Sequence, residues 1–315
     1  MDIFTKLLYL FADLILPLAV GYLCRCRAWF DQDISRRLVR TNIWGFVPVL
    51  AILTLWVLPL NYSLIWLPAI GVLLCMIPGI VAYFRVEKKF PDPLDKGSYV
   101  LSAILSNTTT LGGLCAYIFY GETGFAAGQM VVMLQNVVMF SFCFPLAAYY
   151  YQKSIGGRFD GQSVSAIFIT PNQLPVVGTI VGLLLNLSGI ARPALAAAAV
   201  DPLVHIGAWT ALLPIGYSID IAGMRKYYSE LLDLLPVKFI VTPLAAYLLA
   251  NGLIANGDKA ILHTVVLLAA MPTAVNTVIA AQMNQLNVNI AMAAFVLTTA
   301  VFVGLGIPLL FLWIM

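Results

Sequence analysis

The chain has 315 residues, of which 62% are apolar and 10% are charged, and its mean hydropathy is +0.95. Soluble domains carry about 25% charged residues, so this composition excludes a water-soluble globular protein. It predicts an all-α integral membrane protein with the lipid bilayer as its surroundings. The net charge of +3 is small and dispersed, which argues against a nucleic-acid partner.

Ten apolar runs have the length of a membrane-spanning helix, which is about 20 residues. They cover residues 5–25, 42–60, 63–85, 98–120, 124–151, 171–190, 201–222, 231–253, 259–282 and 289–314. The first run contains Asp13 and has no small-residue cleavage site after it, so we interpret it as a retained span. Tight turns at Pro59–Asn61 and Gly121–Gly124 separate neighbouring runs.

The distribution of lysine and arginine predicts the orientation of these spans, because cytoplasmic loops are enriched in both residues. Fourteen of the 17 fall on one of the two alternating sets of loops, and only Lys6, Arg192 and Lys259 fall on the other. The fourteen are Arg25, Arg27, Arg36, Arg37, Arg40, Arg85, Lys88, Lys89, Lys96, Lys153, Arg158, Arg225, Lys226 and Lys238. We therefore expect a multi-pass protein of the cell (inner) membrane with both termini outside. The loops expected inside are residues 26–41, 86–97, 152–170 and 223–230.

Prolines recur in the same order in the two halves of the chain. The pairs are Pro17 with Pro175, Pro48 with Pro214, Pro68 with Pro236, and Pro145 with Pro308, at offsets of 158 to 168 residues. With five runs in each half, the second copy enters the membrane from the opposite side, and such inverted repeats are typical of secondary transporters. The alternative is a set of proline-kinked helices without symmetry. The repeat predicts one five-helix half over residues 1–152 and a second over residues 153–315.

The fourth and ninth runs carry polar residues at their centres. In inverted-repeat carriers the substrate binds near the bilayer midplane, at interrupted helices in corresponding positions of the two halves. The fourth run reads SNTTTLGG at residues 106–113, and the ninth reads MPTAVNT at residues 271–277. Pro272 lacks a backbone donor and a glycine pair weakens a helix, so we expect the breaks at Pro272 and at Gly112–Gly113.

Broken helices expose N-terminal amides, whose partial positive charge suits an anion. The candidate substrate-binding residues therefore come from these two runs and from one amide of the fifth run. They are Asn107, Thr108, Thr109, Gly112, Gly113, Asn136, Pro272, Thr273, Asn276 and Thr277. Close helix packing is the alternative role for the glycines and threonines, and an interhelical hydrogen bond is the alternative for Gln135 and Asn136.

Other features point away from catalysis. No nucleophile–base pair or metal-ligand cluster is visible, so we expect no enzymatic activity, no cofactor and no metal, and we expect the five cysteines to be free thiols. Asp13 is expected to make a polar contact in a water-filled vestibule, with a coupling site as the alternative. His205 and His263 are expected at the interface. The only acid in the fourth, fifth, ninth and tenth runs is Glu122, in a turn, which argues against a sodium–proton exchanger.

These motifs resemble those of the auxin efflux carrier family in its short bacterial form. The similarity covers essentially the whole chain and rests on SNTTTLGG, MPTAVNTVIAAQ, LPVVGTIVGLLLNLSGI and the region of Pro48. The resemblance implies two inverted five-helix repeats with crossed, broken fourth and ninth helices, whose crossover residues would be Asn107, Gly112, Pro272 and Asn276. It also implies a scaffold of spans 1, 2, 6 and 7, a mobile transport part of spans 3–5 and 8–10, and a homodimer.

The resemblance further implies a secondary transporter that moves a small organic anion, such as a carboxylate or an auxin-like molecule, by alternating access of the elevator type. Where the family commonly has a proline shortly after the asparagine of the fourth span, this chain has Leu114. The break is therefore expected to rest on Gly112–Gly113. Two alternatives stay open, namely a sodium-coupled carrier of the bile-acid–sodium symporter type and a membrane sensor.

Overall fold

The computed structural model of the protein describes residues 5, 8–9, 11–60, 62–157, 174–219, 224–254 and 259–314. Every named element in these ranges is a helix, which confirms the predicted all-α fold. A lone antiparallel bridge between Ser106 and Thr273 is the one strand-like pairing in the described ranges. Asn61, at the end of one predicted turn, lies outside them.

The α-helices follow one another along the described chain with short connections. In order they are α1 (Leu16–Cys26), α2 (Gln32–Thr41), α3 (Val47–Leu55), α4 (Trp66–Lys89), α5 (Pro93–Ile104), α6 (Gly113–Val132), α7 (Gln135–Val138), α8 (Phe144–Ser154), α9 (Leu174–Leu187), α10 (Ala194–Ser218), α11 (Tyr228–Leu231), α12 (Leu234–Pro236), α13 (Thr242–Leu253), α14 (Lys259–Ala269), α15 (Val275–Met283), α16 (Val288–Val301) and α17 (Ile307–Ile314). Two short 3₁₀ turns also occur, at Tyr62–Ile65 and Arg225–Tyr227.

Wider π-helical turns join several of these helices into longer segments. They are Phe11–Ile15, Asn42–Phe46, Thr108–Gly112, Met139–Cys143, Val237–Val241 and Phe302–Gly306. In all but one of them a proline follows two residues after the turn, at Pro17, Pro48, Pro145, Pro243 and Pro308. Proline has no N–H to donate and its ring presses on the carbonyl four residues earlier, so the backbone widens there. The sequence thereby determines where these segments bend.

Five helical segments are long and apolar enough to cross a membrane. They are Gln32–Leu55, Trp66–Lys89, Ala194–Ser218, Leu234–Leu253 and Val288–Leu310. Leu174–Leu187 and Lys259–Ala269 are apolar but shorter. The predicted fourth run is divided between the 12-residue α5 and the first part of α6, which is kinked at Gly121. The ninth run is divided between α14 (11 residues) and α15 (9 residues), so neither run forms one straight span of about 20 residues.

The first predicted inner loop, residues 26–41, is wrong in part. From Gln32 onward it is helical (α2) and continues through the π turn into α3. The Asp31 carboxylate accepts hydrogen bonds from the Asp33 N–H (3.0 Å) and the Ile34 N–H (2.9 Å), and so caps the N-terminus of α2. A hydropathy window misses α2 because its residues are mostly polar.

Two helix pairs pack with their backbones in contact. Helix α1 crosses α10, and α3 crosses α9. A Cβ on Gly21 would come within 2.0 Å of the Leu213 carbonyl oxygen, and one on Gly178 within 2.5 Å of the Pro48 carbonyl oxygen. Only glycine permits such close approach, so these residues determine how the two pairs dock.

The predicted turn at Gly121 is confirmed. Helix α6 contains a kink at Gly121, whose φ of 63° and ψ of −150° lie in a region open chiefly to glycine. The chain therefore leaves one helical part and enters the next without a loop.

Candidate functional site

Two interrupted helical segments cross each other, and we call this region the crossing. One interruption covers residues 105–107, between α5 and the π turn that leads into α6. The other covers residues 270–274, between α14 and α15. Breaks inside an apolar environment are expensive unless every freed backbone group finds a partner.

The two interruptions provide those partners for each other. The Asn107 N–H donates to the Pro272 carbonyl at 2.8 Å, and the Ala274 N–H donates to the Leu105 carbonyl at 2.9 Å. These are the hydrogen bonds of a minimal antiparallel ladder. Segments separated by more than 160 residues in sequence are thereby held together at the point where both helices stop.

The position of the first break corrects the expectation from Gly112–Gly113. Both glycines have helical φ and ψ, whereas the chain leaves the helix at Leu105 and re-enters it after Asn107. The Asn107 side chain caps the resumed helix, with Oδ1 accepting from the Leu111 N–H at 3.4 Å. Gly112 serves packing instead, because a Cβ there would meet a Leu268 methyl group at 2.5 Å.

Beside the crossing lies a cavity of about 330 Å³, which we call the central cavity. Its size falls within the range of small-molecule sites, roughly 300–1,000 Å³. Its polar lining residues are Asn42, Thr109, Thr110, Gln129, Thr179 and Asn276. The remainder is apolar and includes Val47, Met133 and Ile215. The first turn of the resumed helix and the first turn of α15 both contribute to this lining, so two positive helix N-termini face one space.

Two amides of the central cavity have no hydrogen-bonding partner among the described residues. The Gln129 side chain belongs to a residue only 2% exposed, and Asn276 is partly buried. A buried amide without a partner costs free energy that a bound ligand can recover. Asn42 differs, because its Nδ2 already donates to the Gly207 carbonyl at 2.7 Å. Gln129 and Asn276 are thus the amides available to a ligand.

Thr109 and Asn276 are the predicted site residues that line the central cavity. The other predicted residues within the crossing lie behind the lining. They are Asn107, Thr108, Gly112, Gly113, Pro272, Thr273 and Thr277, and all are buried. The side chain of Asn136 lies outside the described residues. Sequence reasoning missed Gln129, Asn42, Thr110 and Thr179 as lining residues, although an amide inside an apolar run was a usable signal for Gln129.

The residues behind the lining stabilise the crossing through specific hydrogen bonds. The Thr273 hydroxyl donates to the Ser102 carbonyl at 2.9 Å, within α5. The Thr108 hydroxyl donates to Gln135 Oε1 at 2.6 Å, which confirms the interhelical hydrogen bond for Gln135. The Thr277 hydroxyl is buried without a partner in the described chain.

A larger cavity of about 630 Å³ adjoins the central cavity, and we call it the arginine vestibule. Val39, Ile43, Ile215, Val275 and Ile279 line both spaces, so the two are neighbours along a shared wall. The vestibule is further lined by Arg25, Arg36 and Arg40, and its described lining contains no carboxylate. The approach to the central cavity from this side is therefore electropositive.

The other end of the molecule carries paired charges, and we call it the carboxylate end. Helix α10 extends from Asp201, at this end, to Ser218 in the vestibule, about 25 Å at 1.5 Å per residue. At the carboxylate end, His205 Nδ1 lies 2.5 Å from Asp13 Oδ2, and the Tyr117 hydroxyl donates to Asp201 at 2.9 Å.

Two further contacts lie at the carboxylate end. The Arg192 guanidinium donates to Glu122 at 2.5 Å and 3.2 Å and also to the Leu53 carbonyl. The polar contact expected of Asp13 is made to His205, but Asp13 is only 5% exposed, so the contact is buried and not open to a water-filled vestibule. The interfacial position expected of His205 and His263 stays a prediction. His263 likewise bonds to the Tyr120 hydroxyl at 2.8 Å. The partners of Asp13 and His263 lie on other helices, and the sequence alone does not indicate them.

No group of three or more metal-ligating side chains occurs within the described ranges, and the cysteines are free thiols. Comparison with protein-family models gives no match, and a search of curated proteins also finds none that matches this chain. The resemblance to the auxin efflux carrier family therefore stays a prediction.

Proposed function

We propose that this protein is a secondary transporter of the cell membrane that moves a small organic anion by alternating access. The observation that carries the proposal is the central cavity, where the first turns of two interrupted helices meet beside the buried, unpartnered amide of Gln129. Interrupted helices with their N-termini turned to one site are the usual substrate-binding device of such carriers.

The chemistry of the site favours an anion over a cation or a neutral solute. Helix N-termini carry a partial positive charge of about half a unit each. The Gln129 and Asn276 amides can donate to a carboxylate, and the described lining of the cavity contains no acidic side chain. The arginine vestibule would raise the local concentration of anions at the entrance. Apolar lining residues such as Phe144 and Met133 suit the hydrocarbon part of the same molecule.

Ten spans in two inverted five-helix repeats account for the helix contacts. Helix α1 of span 1 packs on α10 of span 7, and α3 of span 2 packs on α9 of span 6. If the halves are equivalent, span 1 corresponds to span 6 and span 2 to span 7, so exchanging the halves converts one pair into the other. The crossing of spans 4 and 9 maps onto itself in the same way. A bundle of kinked helices without symmetry has no reason to repeat its contacts.

The distribution of positive charge in the sequence supports an orientation with the arginine vestibule toward the cytoplasm and the carboxylate end outside. In that orientation the central cavity faces the cytoplasm and is closed on the outer side. Asn42, Thr179 and Ile215 belong to the scaffold spans, whereas Thr109, Gln129 and Asn276 belong to the transport part. Since the cavity lies between the two parts, an elevator-type displacement of one against the other would carry the substrate across. Homodimer formation through the scaffold, within the lipid bilayer, is part of the same proposal.

Ligand binding tests the proposal directly. The purified protein in detergent would be heated with a panel of mono- and dicarboxylates and aromatic acids, each paired with its neutral amide. A ligand at a hundredfold excess over its dissociation constant stabilises the folded state by about 2.7 kcal/mol. We expect the melting temperature to rise for at least one acid and to stay constant for its amide. Equal responses to acid and amide would contradict an anion carrier.

Alanine variants then locate the site. Gln129→Ala and Asn276→Ala should each weaken binding about tenfold or more, since a hydrogen bond to a charged group contributes about 1.5–3 kcal/mol. Asn186→Ala is the matched control, because this amide donates to the Leu55 and Leu58 carbonyls at 2.8 Å and lies outside the cavity. It should lower the melting temperature and leave the dissociation constant unchanged. Asn107→Ala removes a helix cap behind the lining, so it should lower the melting temperature more than it weakens binding.

A further inference from the structure

Lys238, counted in the sequence with the cytoplasmic loops, is instead a buried lysine near the start of an apolar helical segment. It lies in the π turn Val237–Val241, within the membrane-length segment Leu234–Leu253, and is 1% exposed. Burying an ammonium group without a counter-charge in a membrane helix carries a large free-energy cost. Its position next to the crossing points to a role beyond packing.

The ammonium is held by the crossing itself. Lys238 Nζ donates to the Ala103 carbonyl at 3.0 Å and to Ser106 Oγ at 2.8 Å. Ala103 belongs to the last turn of α5, where carbonyls lack intrahelical partners and carry partial negative charge. Among the described residues no carboxylate lies within 4.0 Å of this ammonium. Its counter-charge is therefore the negative end of α5.

These oxygen atoms are of the kind that bind a coupling cation. In carriers with interrupted helices, unwound backbone carbonyls and the C-terminal ends of half-helices coordinate the sodium ion or proton. Here a half-helix end and an adjacent hydroxyl point at a covalently attached ammonium instead. The two roles cannot be filled at once, because both cations need the same oxygens.

We propose that Lys238 is a tethered replacement for a coupling cation, which neutralises the carbonyl end of α5 at the crossing. Because the charge cannot dissociate, the crossing is preorganised whether or not sodium is present. Resting on the proposed function, this assigns the protein to sodium-independent anion carriers and opposes the sodium-symporter alternative. Lys238 acts through the crossing as a positioning residue and need not touch the substrate.

The lysine side chain suggests a size-matched test by chemical rescue. Lys238→Ala removes Cγ, Cδ, Cε and Nζ, which together have the size and charge of a propylammonium ion. The experiment measures the melting temperature of the purified variant with propylammonium chloride, n-propanol or sodium chloride. A binder at a hundredfold excess over its dissociation constant should raise the melting temperature by about 5 °C. We expect this rise with propylammonium and not with the neutral alcohol.

Lys238→Met is the matched control, since it fills most of the volume without the charge or the donor. It should melt below the wild type. Neither Lys238→Met nor the wild type should show a rise in melting temperature with propylammonium or n-propanol. If Lys238→Ala does not fold, growth with propylammonium should restore its folded yield. The proposal would be overturned by a Lys238→Met variant that melts at or above the wild-type temperature. It would also be overturned if propylammonium did not raise the melting temperature of Lys238→Ala.

A second readout separates this inference from the transport proposal, since the melting experiment requires no substrate. With a carboxylate identified by the panel, affinity in the wild type should not change when potassium replaces sodium. In Lys238→Ala the affinity should fall about tenfold or more and recover with propylammonium. Sodium-dependent binding in the wild type would contradict the proposal that Lys238 replaces a coupling cation. Rescue of melting without any carboxylate binding would keep the cation site and refute the anion carrier.

Discussion

The arginine vestibule and the carboxylate end lie at opposite ends of helix α10 and differ in how their charged side chains are paired. At the carboxylate end Asp13 pairs with His205, and Glu122 pairs with Arg192, each across two helical segments distant in sequence. The vestibule presents Arg25, Arg36 and Arg40 around a space of about 630 Å³ with no carboxylate in its described lining, although Arg36 makes an exposed ion pair with Asp33 at 3.7 Å outside that lining.

If the protein is the proposed carrier, this difference favours a conformation that is closed at the carboxylate end. In the proposed division of the molecule, Glu122–Arg192 joins the transport part to the scaffold, whereas Asp13–His205 joins two scaffold spans. Arginines without a carboxylate in the cavity lining leave a field that attracts counter-ions. A carrier that alternates its access must break one set of contacts to open the other end. In the proposed carrier, the Glu122–Arg192 contact would belong to one conformation only, so substitutions at the two ends should have different consequences.

The largest effect is expected for the most buried pair. His205→Leu leaves the Asp13 carboxylate buried without its partner, and should lower the free energy of unfolding by about 3 kcal/mol. Equilibrium unfolding in detergent measures this. The double variant Asp13→Leu/His205→Leu should recover most of the loss, because replacing both members of a buried pair is often neutral. A double variant as unstable as the single one would mean that the pair does not act as a unit.

A smaller effect is expected at the vestibule. The double variant Arg36→Gln/Arg40→Gln should weaken anion binding about fivefold at low salt and less at high salt, because exposed charges are screened. Calorimetry at two salt concentrations would measure it. Arg27→Gln/Arg37→Gln is the matched control, since it removes the same number of charges from two exposed arginines that do not line the vestibule. Equal losses for both variants would show that net charge, not the vestibule, attracts the anion.

The smallest effect is expected for the partly exposed pair at the carboxylate end. Glu122→Gln removes an ion pair worth up to about 1 kcal/mol and should shift the population toward the form open on the outer side. A cysteine at Thr110 should then react about two- to fivefold faster with an impermeant maleimide added outside. Glu87→Gln, which breaks the pair with Lys96 elsewhere, is the control. Unchanged outer labelling would remove the pair from the gating contacts.

Local chemistry made part of the site predictable. The interruption at Pro272 and the turn at Gly121 follow from single residues whose backbone preferences act within a few positions. The first break lies at residues 105–107, before the glycine pair, because the Asn107 side chain can cap the helix that resumes there. Thr109 and Asn276 were identified because they are polar in apolar runs, and the same rule would have found Gln129.

The sequence by itself determined that the chain is helical and apolar enough for a membrane, where its segments bend and on which loops its positive charge falls. Only the tertiary structure decided that Lys238 reaches Ala103, that Asp13 pairs with His205, and that the lining of the cavity combines both halves. The physical reason is that lipid and protein interior are equally apolar, so hydrophobic periodicity does not distinguish the side of a helix that faces lipid from the side that faces its neighbours. Contacts between residues more than a hundred positions apart then follow from packing alone.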